Sequence, residues 1–344
     1  MEKFDAIVIG SGSGGLSTAL CLARSGQNVL VLEQHYVPGG WCHTFTLNGQ
    51  RFSPGVHYIG LLDEGQSTNE LYKGLGIAND LTFFRMNKNG YDHCIIANQK
   101  FDLPAGVNNL QNKLIETFPK EEKNIKEYLS LIQKVNYELQ LMPRLKGLWQ
   151  KITVPFRTKH FGKFALFSLK RVIGWHIKDP ILQAILNSQC GDHGLPPSQA
   201  CFPVHCSVMN HYFDGGFYPM GGGSSIVKAM TSKIKSYGSE IRVSQKVAKI
   251  IVENNQAKGV VLATGETILA NTVVSNADPS ITFLKLIGKE NISKKLEKKL
   301  SKTKYSVTSL IMFLTLEVDV TKYGIDSGNI WKFNEGLKKL STGL

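Results

Sequence analysis

The feature that most constrains the fold of this 344-residue chain is a glycine-rich turn close to its N-terminus. Residues 4–9 form a short apolar run typical of a buried strand, and Gly10, Gly12 and Gly15 follow in a GxGxxG spacing. In such a turn the first glycine makes a tight bend and the second lets the backbone approach a pyrophosphate. The third lets the next helix pack closely on the strand. The free N–H groups at the start of that helix attract phosphate, so the pattern predicts a dinucleotide site.

The residues after the turn complete a strand–helix–strand unit. Residues 16–25 place apolar side chains on one helical face, and Gly26 stands where a C-cap glycine belongs. Residues 28–32 predict a second strand, which ends at Glu33. A carboxylate at this distance from the glycines is suited to accept hydrogen bonds from a ribose diol.

Four later segments add to this pattern. They are the glycine pair Gly39-Gly40 followed by His43 and Thr44, the glycine-rich stretch 215–224, residues 240–247, and the strand-like residues 271–279. Together with the N-terminal unit they resemble the FAD-dependent phytoene desaturase, carotenoid isomerase and retinol saturase family, within the amine-oxidase-like flavoproteins. The resemblance covers residues 5–279 well and continues more faintly to residue 319. Residues 190–200 resemble the retinol saturase branch most.

The resemblance implies an α/β fold, in which a Rossmann-like (GR2-type) FAD-binding domain is interleaved with an α+β substrate domain. It divides the chain into residues 1–60 and 201–280 for the FAD-binding domain, and residues 61–200 and 281–344 for the substrate domain. It implies FAD as the cofactor. The implied FAD-binding residues are Gly10, Gly12, Gly14, Gly15, Glu33, Gln34, Gly39, Gly40, His43, Thr44, Gly222, Val247, Asn276 and Ala277.

The family resemblance also implies an activity. It indicates a FAD-dependent oxidoreductase that acts on CH–CH groups, and that reduces or isomerises the C=C bonds of an apolar polyene such as a retinoid or carotenoid. A desaturase or an amine-oxidase-like flavoenzyme is the first alternative. The second is a truncated, non-catalytic flavin-domain protein, because nothing after Ile325 resembles the last FAD-domain segment of the family. The electron donor is left open.

Adding hydrogen across a C=C bond needs a hydride and a proton, so a general acid is expected near the flavin. The candidates flank the motifs that the resemblance places close to the flavin ring, and His193 and Tyr212 are the preferred pair. The full set is His57, Tyr58, Asp192, His193, His211 and Tyr212. The alternative is that these side chains cap loops or bond to backbone.

The cysteines and histidines raise two further possibilities. Cys190, His193, Cys201, His205 and Cys206 lie close in sequence but lack a recognised zinc spacing, so the sequence predicts no metal. A Cys42–His43 nucleophile is disfavoured, because the resemblance places that loop against the flavin. The absence of any CxxC pair indicates reduced thiols.

The net charge of +13 is concentrated in residues 142–178, which contain no acidic residue. Basic side chains alternate there with large aromatic ones, a composition typical of a surface that lies on anionic lipid. A plain solvated face and a nucleic-acid surface are the alternatives, and no nucleic-acid partner is predicted. The aromatic residues are Trp149, Phe156, Phe161, Phe164, Phe167 and Trp175. The second basic run, residues 294–304, is interpreted as a solvated helix face.

The first residues already belong to the predicted strand rather than to a signal peptide, and no apolar run reaches the roughly 18 residues that span a bilayer. The sequence therefore predicts a cytoplasmic, peripheral membrane-associated protein. Further along the chain it predicts helices and hairpins from periodicity and turn residues. These are a hairpin around residues 87–90, helices over 120–141 and 225–237, a hairpin joining 246–252 to 259–262, a strand over 306–320 and an amphipathic tail over 329–344.

Overall fold

A six-stranded sheet forms the centre of the nucleotide-binding unit. The structure is a computed structural model that describes residues 2–96, 98–145, 147 and 153–333. Its strands in chain order are β1 Lys3–Ile9, β2 Val29–Leu32, β3 Phe45–Leu47, β4 Gln50–Phe52, β5 Phe83–Arg85, β6 Asp92–Ile96, β7 Gln99–Leu103, β8 Phe217–Pro219, β9 Glu240–Arg242, β10 Val247–Glu253, β11 Gln256–Leu262, β12 Thr267–Ser275 and β13 Asn329–Phe333. The central sheet has the order β10-β11-β12-β1-β2-β9, with β12, β1, β2 and β9 parallel.

Both faces of this sheet are covered, as the continuous apolar sequences of β1 and β2 require. Alternate residues of β1 point to opposite sides. Ala6 and Val8 pack against the helices Ser13–Arg24 and Gly223–Ser236. Ile7 and Ile9 pack on the other side with residues from β10, β11 and β12. The predicted α/β fold class is therefore confirmed, as are the helix over 225–237 and the hairpin of β10 and β11.

A second core forms around the helix Glu122–Leu141. That helix buries Ile125, Leu129, Ile132 and Val135 on the face that the sequence predicts. The helix Phe202–Tyr212 packs against it and shares the same core. The other helices are Ser67–Leu75, Val107–Thr117, Val154–Arg157, Lys159–Phe164, Leu169–His176, Pro180–Leu186 and Lys294–Leu300, with a 3-10 helix Ser188–His193 and a π-helical turn Ile281–Leu286.

Three small sheets complete the described part of the chain. They are β3–β4, β5–β8 and the three-stranded sheet β13-β6-β7. The strand β5 pairs with β8 near the start of the glycine-rich stretch 215–224, and an isolated bridge joins Ile59 to Phe217. These pairings bring Ile59 and β5 together on β8. The four-part division of the chain into domains stays a prediction.

Three predictions of local structure are wrong. Residues 87–90 form a turn, but β5 and β6 on either side of it pair with other strands, so it is not a hairpin. Residues 306–320 do not form the predicted strand: they run without regular structure and leave apolar side chains exposed, among them Leu310 and Met312. Residues 329–333 of the predicted tail form β13, parallel to β6. The rest of that tail lies outside the described residues.

The predicted solvated face over residues 294–304 is confirmed: the lysines of the helix Lys294–Leu300 are exposed. Within the described ranges, none of the helices combines the length and apolarity needed to cross a bilayer.

Candidate functional site

The glycine-rich turn joins β1 to the helix Ser13–Arg24 in the predicted way. Gly10 has a φ of +90°, which favours glycine, and its N–H donates to the carbonyl of Leu32 at the end of β2. A Cβ on Gly15 would stand 2.1 Å from the Gly10 carbonyl oxygen. Among the described residues, no side chain caps the start of the helix at Gly12. Its first-turn N–H groups therefore remain available to an anion.

Glu33 at the end of β2 anchors this turn. Its Oε2 accepts from the N–H of Ser11 at 2.9 Å and from the Ser11 hydroxyl at 2.6 Å, and its Oε1 accepts from the N–H of His35 at 2.8 Å. Burial tends to raise the pKa of Glu33, but the hydrogen bonds from Ser11 and His35 outweigh it and the pKa is lowered. An ionised carboxylate offers about four acceptor positions, so one position on Oε1 is left for a ribose hydroxyl.

The glycine pair lies directly against the turn. The Gly39 N–H donates to the Ser11 hydroxyl at 3.0 Å, and Gly39 has a φ of +121°. Gly40 has a φ of +54°, and a Cβ there would stand 2.9 Å from the Cα of Gly12. Gly40 needs glycine because the two loops touch there through their backbones, and Gly39 needs it because its φ is positive and a Cβ would stand 2.6 Å from the side chain of Val227.

A cleft of about 1050 Å³ opens between these loops and the C-terminal ends of the parallel strands. Ligands of open α/β sheets bind at this edge. The sequence-predicted residues that line the cleft are Gly10, Gly12, Gly14, Glu33, Gln34, Gly40, Val247, Asn276 and Ala277. The cleft is also lined by residues that the sequence did not predict to bind the cofactor: Trp41, Cys42, Gln245, Lys246 and Lys285.

The other predicted cofactor residues stand behind this lining. Gly15 packs on Gly10, and the Gly39 N–H donates to the Ser11 hydroxyl. His43 donates from Nδ1 to the carbonyl of Gly40 at 2.6 Å. The Thr44 hydroxyl accepts from the N–H of Ser224, next to Gly222, which has a φ of +71° and precedes the helix Gly223–Ser236. These residues shape the loops rather than face the cleft.

The lining fits a dinucleotide. Cβ atoms on Gly12 and Gly14 would stand 2.9 Å and 2.8 Å from the side-chain amide of Asn276, so glycine keeps the turn open at the backbone. The uncapped helix start suits a pyrophosphate, and the Asn276 amide adds a donor beside it. Glu33 suits a ribose hydroxyl. The Cys42–His43 pair has no activated thiol, since burial raises the pKa of Cys42 and His43 donates to Gly40.

A second polar cluster centres on Tyr58. Its ring stacks on Tyr212 with ring centroids 4.2 Å apart. Its hydroxyl lies 3.2 Å from an oxygen of Asp92 and 3.3 Å from an oxygen of Asp192. A phenol has one proton and donates to one carboxylate at a time. Burial, followed by the charge of Asp92, raises the pKa of Asp192 to about 7, although part of this residue is exposed.

Asp92 is a member of this cluster that was not predicted from the sequence. It is fully buried and also accepts from Gln189 at 3.0 Å and from Asn329 at 3.0 Å. Burial raises its pKa, while hydrogen bonds led by those from Asn329 and Gln189 act against the shift. The available signal was a carboxylate at the start of the short strand β6, which continues into the apolar residues 94–96. Buried acids need several partners.

The structure separates the two preferred proton donors. Tyr212 joins the Tyr58 cluster, whereas His193 faces His205, with Nε2 and Nδ1 3.4 Å apart. His211 accepts from the N–H of Gly60 at 2.8 Å, which agrees with the alternative that it bonds to backbone. His57 is exposed.

Comparison with known proteins agrees with this geometry. Residues 13–311 match the model of the flavin containing amine oxidoreductase family. The all-trans-retinol 13,14-reductase of Danio rerio is 31% identical over 97% of this chain, and the chain spans 57% of that protein. The chloroplastic prolycopene isomerase of Daucus carota is 28% identical over 86% of this chain and 49% of that protein.

Among solved structures, the cyclohexylamine oxidase from Brevibacterium oxydans superimposes with a TM-score of 0.59 at 16% identity, over 87% of this chain and 63% of that one. This likeness concerns the fold. With a family match over most of its length and a dinucleotide cleft of the expected form, the chain belongs to the flavin containing amine oxidoreductase family, and its cofactor is FAD.

Proposed function

We propose that this protein is a FAD-dependent oxidoreductase that reduces or isomerises C=C bonds of an apolar polyene. The observation that supports it most is the cleft around Glu33 and the glycine-rich turn, in a chain similar to a retinol 13,14-reductase and a prolycopene isomerase. The chain spans about half the length of these relatives, so their activities are expectations for it. When bound, the flavin supplies hydride transfer.

The role proposed for the protein's own residues is to bind the cofactor and to hold a proton. We assign the proton to the stacked pair of Tyr58 and Tyr212, whose proton supply is the carboxyl groups on either side of the Tyr58 hydroxyl. Asp92 keeps that hydroxyl oriented because its other hydrogen bonds fix its own position. His193 is not used in this step, since it faces His205.

The test is anaerobic turnover by the FAD-loaded protein with its flavin reduced by dithionite. All-trans-retinol and a poly-cis carotene are supplied in separate reactions, and products are separated and weighed by mass spectrometry. A product two hydrogens heavier indicates a reductase, and one of equal mass with altered geometry indicates an isomerase. Parallel reactions with the flavin left oxidised test the desaturase alternative, because removing two hydrogens from a polyene needs an oxidised flavin to accept them. A product two hydrogens lighter there would favour the desaturase, and polyenes left unchanged with either form of the flavin would favour the non-catalytic alternative.

Two conservative variants test the proton step. Tyr58→Phe and Tyr212→Phe keep the stacked rings and remove one hydroxyl each. General acids typically contribute 10²–10⁴-fold, so we expect Tyr58→Phe to lower reduction by roughly 100-fold or more while FAD binding is unchanged. The matched control is Tyr237→Phe, at the exposed end of the helix Gly223–Ser236. Full activity in both test variants would contradict the assignment.

We further propose that the protein collects its substrate from an anionic membrane surface. Within the basic and aromatic patch of residues 142–178, three of the aromatic side chains contribute to the core. Phe164 is buried in the core, and Phe161 and Phe167 pack against it. Trp149 lies outside the described residues, as do Lys146 and Lys151. Phe156 and Trp175 remain exposed, and the exposed residues of the patch also include Leu166, Arg157, Lys159, Lys163, Lys170 and Arg171. Basic and apolar groups together suit an anionic interface.

Liposome co-sedimentation tests this surface. Binding should increase with the anionic lipid fraction and fall with salt, because exposed charges are screened over about 10 Å at 0.1 M. The double variant Lys159→Gln/Lys163→Gln should weaken it, whereas Lys295→Gln/Lys298→Gln on the other basic helix, which removes equal charge, should not. Equal losses in both pairs would show that net charge, rather than this patch, attracts the vesicles.

A further inference from the structure

Three potential metal ligands lie together where the 3-10 helix Ser188–His193 meets the helix Phe202–Tyr212, outside the lining of the FAD cleft. Cys190 and His193 stand three residues apart on the 3-10 helix Ser188–His193, where side chains at that spacing project to the same side. His205 lies in the helix Phe202–Tyr212. One ligand atom from each residue lies within 4.8 Å of the others. Cys190 and His205 are buried and His193 is partly buried.

The orientation of His205 suits a ligand. Its Nε2–H donates to the carbonyl of Leu186 at 3.0 Å, which fixes the tautomer and leaves the lone pair on Nδ1. That lone pair faces Nε2 of His193 at 3.4 Å. In metal-bound histidines, one ring nitrogen usually binds the ion while the other donates its N–H to a group such as a backbone carbonyl.

The distance between the two nitrogens matches a shared ion. With Zn–N bonds of about 2.0–2.1 Å in tetrahedral geometry, two ligand nitrogens lie about 3.3–3.4 Å apart. The same separation is longer than a typical hydrogen bond between two ring nitrogens. Two imidazoles and one thiolate are a donor set that suits zinc.

A buried hydroxyl beside the cluster has no partner among the described residues. Tyr128 is fully buried, and no described residue hydrogen-bonds to its hydroxyl. Burial most of all, then the nearby thiols of Cys206 and Cys190, raise the pKa of Tyr128. Buried polar atoms without a partner call for an explanation such as an ion or ordered water. A water molecule bound to an ion at this cluster would supply a hydrogen-bond partner for the Tyr128 hydroxyl.

We propose that Cys190, His193 and His205 bind one divalent cation of the zinc class, with the fourth coordination position open to water. These residues lack a recognised zinc spacing because the third ligand comes from a separate helix. Binding would displace the proton of Cys190, since the thiolate is the ligand. The alternative is a histidine pair joined by a hydrogen bond, with the thiol packed beside it.

The test uses the full chain with FAD, without an affinity tag, after removal of metal by a chelator. Co²⁺ is titrated into it and the visible and near-ultraviolet absorption is recorded, followed by competition with Zn²⁺. We expect one Co²⁺ per chain, a thiolate-to-cobalt charge-transfer band, tetrahedral-type visible bands, and loss of all of them when Zn²⁺ is added. Zinc should also raise the melting temperature in a saturable way.

Variants separate this site from chance binding. Cys190→Ser should abolish the charge-transfer band, and His205→Gln should weaken affinity by more than the roughly 10–100-fold that loss of an outer-shell partner costs. The matched control is Cys201→Ser, whose thiol donates to the carbonyl of Ala165 outside the cluster. Each variant is accepted only if its circular dichroism matches the parent, and His193→Gln replaces any that does not fold. Absence of the band in the parent, or equal losses in the control, would overturn the proposal.

Discussion

Glu33 offers the sharpest test of the cofactor site. Replacing it should change both the stability of the protein and its affinity for FAD, and the two effects can be measured separately. Glu33→Ala removes the acceptor of both Ser11 donors and of the His35 N–H, and with it the remaining position for a ribose hydroxyl. The first loss acts on folding and the second on FAD affinity. The variant is therefore expected to change both quantities by different amounts.

The expected magnitudes follow from the same contacts. One charge-assisted hydrogen bond to ribose contributes about 1.5–3 kcal/mol, which corresponds to a roughly 10- to 150-fold weaker FAD affinity. Ser11 is fully buried, so its unpaired N–H should lower the free energy of unfolding of the FAD-free protein by about 1–3 kcal/mol. His35 is exposed, so water can replace Glu33 as the acceptor of the His35 N–H.

Affinity is measured by the change in flavin fluorescence when FAD is titrated into the FAD-free protein, and stability by urea unfolding of the same sample. Glu253→Ala is the control: it removes an exposed carboxylate at the far end of β10, away from the cleft. Ser11→Ala should weaken FAD less than Glu33→Ala, because the carboxylate stays in place. If Glu33→Ala binds FAD as tightly as Glu253→Ala does, the carboxylate does not contact the ribose and the reasoning is refuted.

Three further results are expected. Gly15→Ala should destabilise the fold by about 1–3 kcal/mol or more in urea unfolding and weaken FAD, because its Cβ meets the Gly10 carbonyl oxygen at 2.1 Å; an unchanged midpoint would contradict this. Gly74→Ala should instead stabilise the helix Ser67–Leu75 by about 0.5–1 kcal/mol, because no atom lies within 4 Å of its Cβ position. Burial lowers the pKa of His211 from its ordinary 6.5, so the stability from its neutral form is complete above pH 6.5 and is lost as the pH falls below it. His211→Gln keeps an acceptor for Gly60 and should flatten that decline in unfolding free energy; identical slopes would show that another group titrates.

The nucleotide site could be predicted because its signals are local. The spacing of Gly10, Gly12 and Gly15, the apolar strands around them and Glu33 at the end of β2 all lie within the first few dozen residues. Each follows from what a backbone needs when it turns tightly beside a phosphate. The helix Glu122–Leu141 was predictable for a similar reason, since one apolar face repeats along it.

The Tyr58 cluster, for which we propose a proton-donor role, and the proposed metal site both depended on tertiary structure. Asp92 accepts from Asn329, 237 positions away, through the parallel pairing of β6 with β13. His193 meets His205 only because two helices place them together. No spacing in the sequence encodes such contacts, since the chain between the partners can take many paths.

In residues 306–320, a local sequence signal predicted an element that the structure does not form. Their β-branched and apolar side chains predict a strand, yet they run without a strand partner among the described residues. Strand propensity describes how a side chain suits a pleated, half-buried surface, and a strand forms only where another edge is available to pair with it. The sequence by itself determined the cofactor-binding unit, because turn, helix and carboxylate act within one local motif. The tertiary structure alone decided which distant edges paired and which polar groups met in the core, because those contacts depend on the closure of the whole chain.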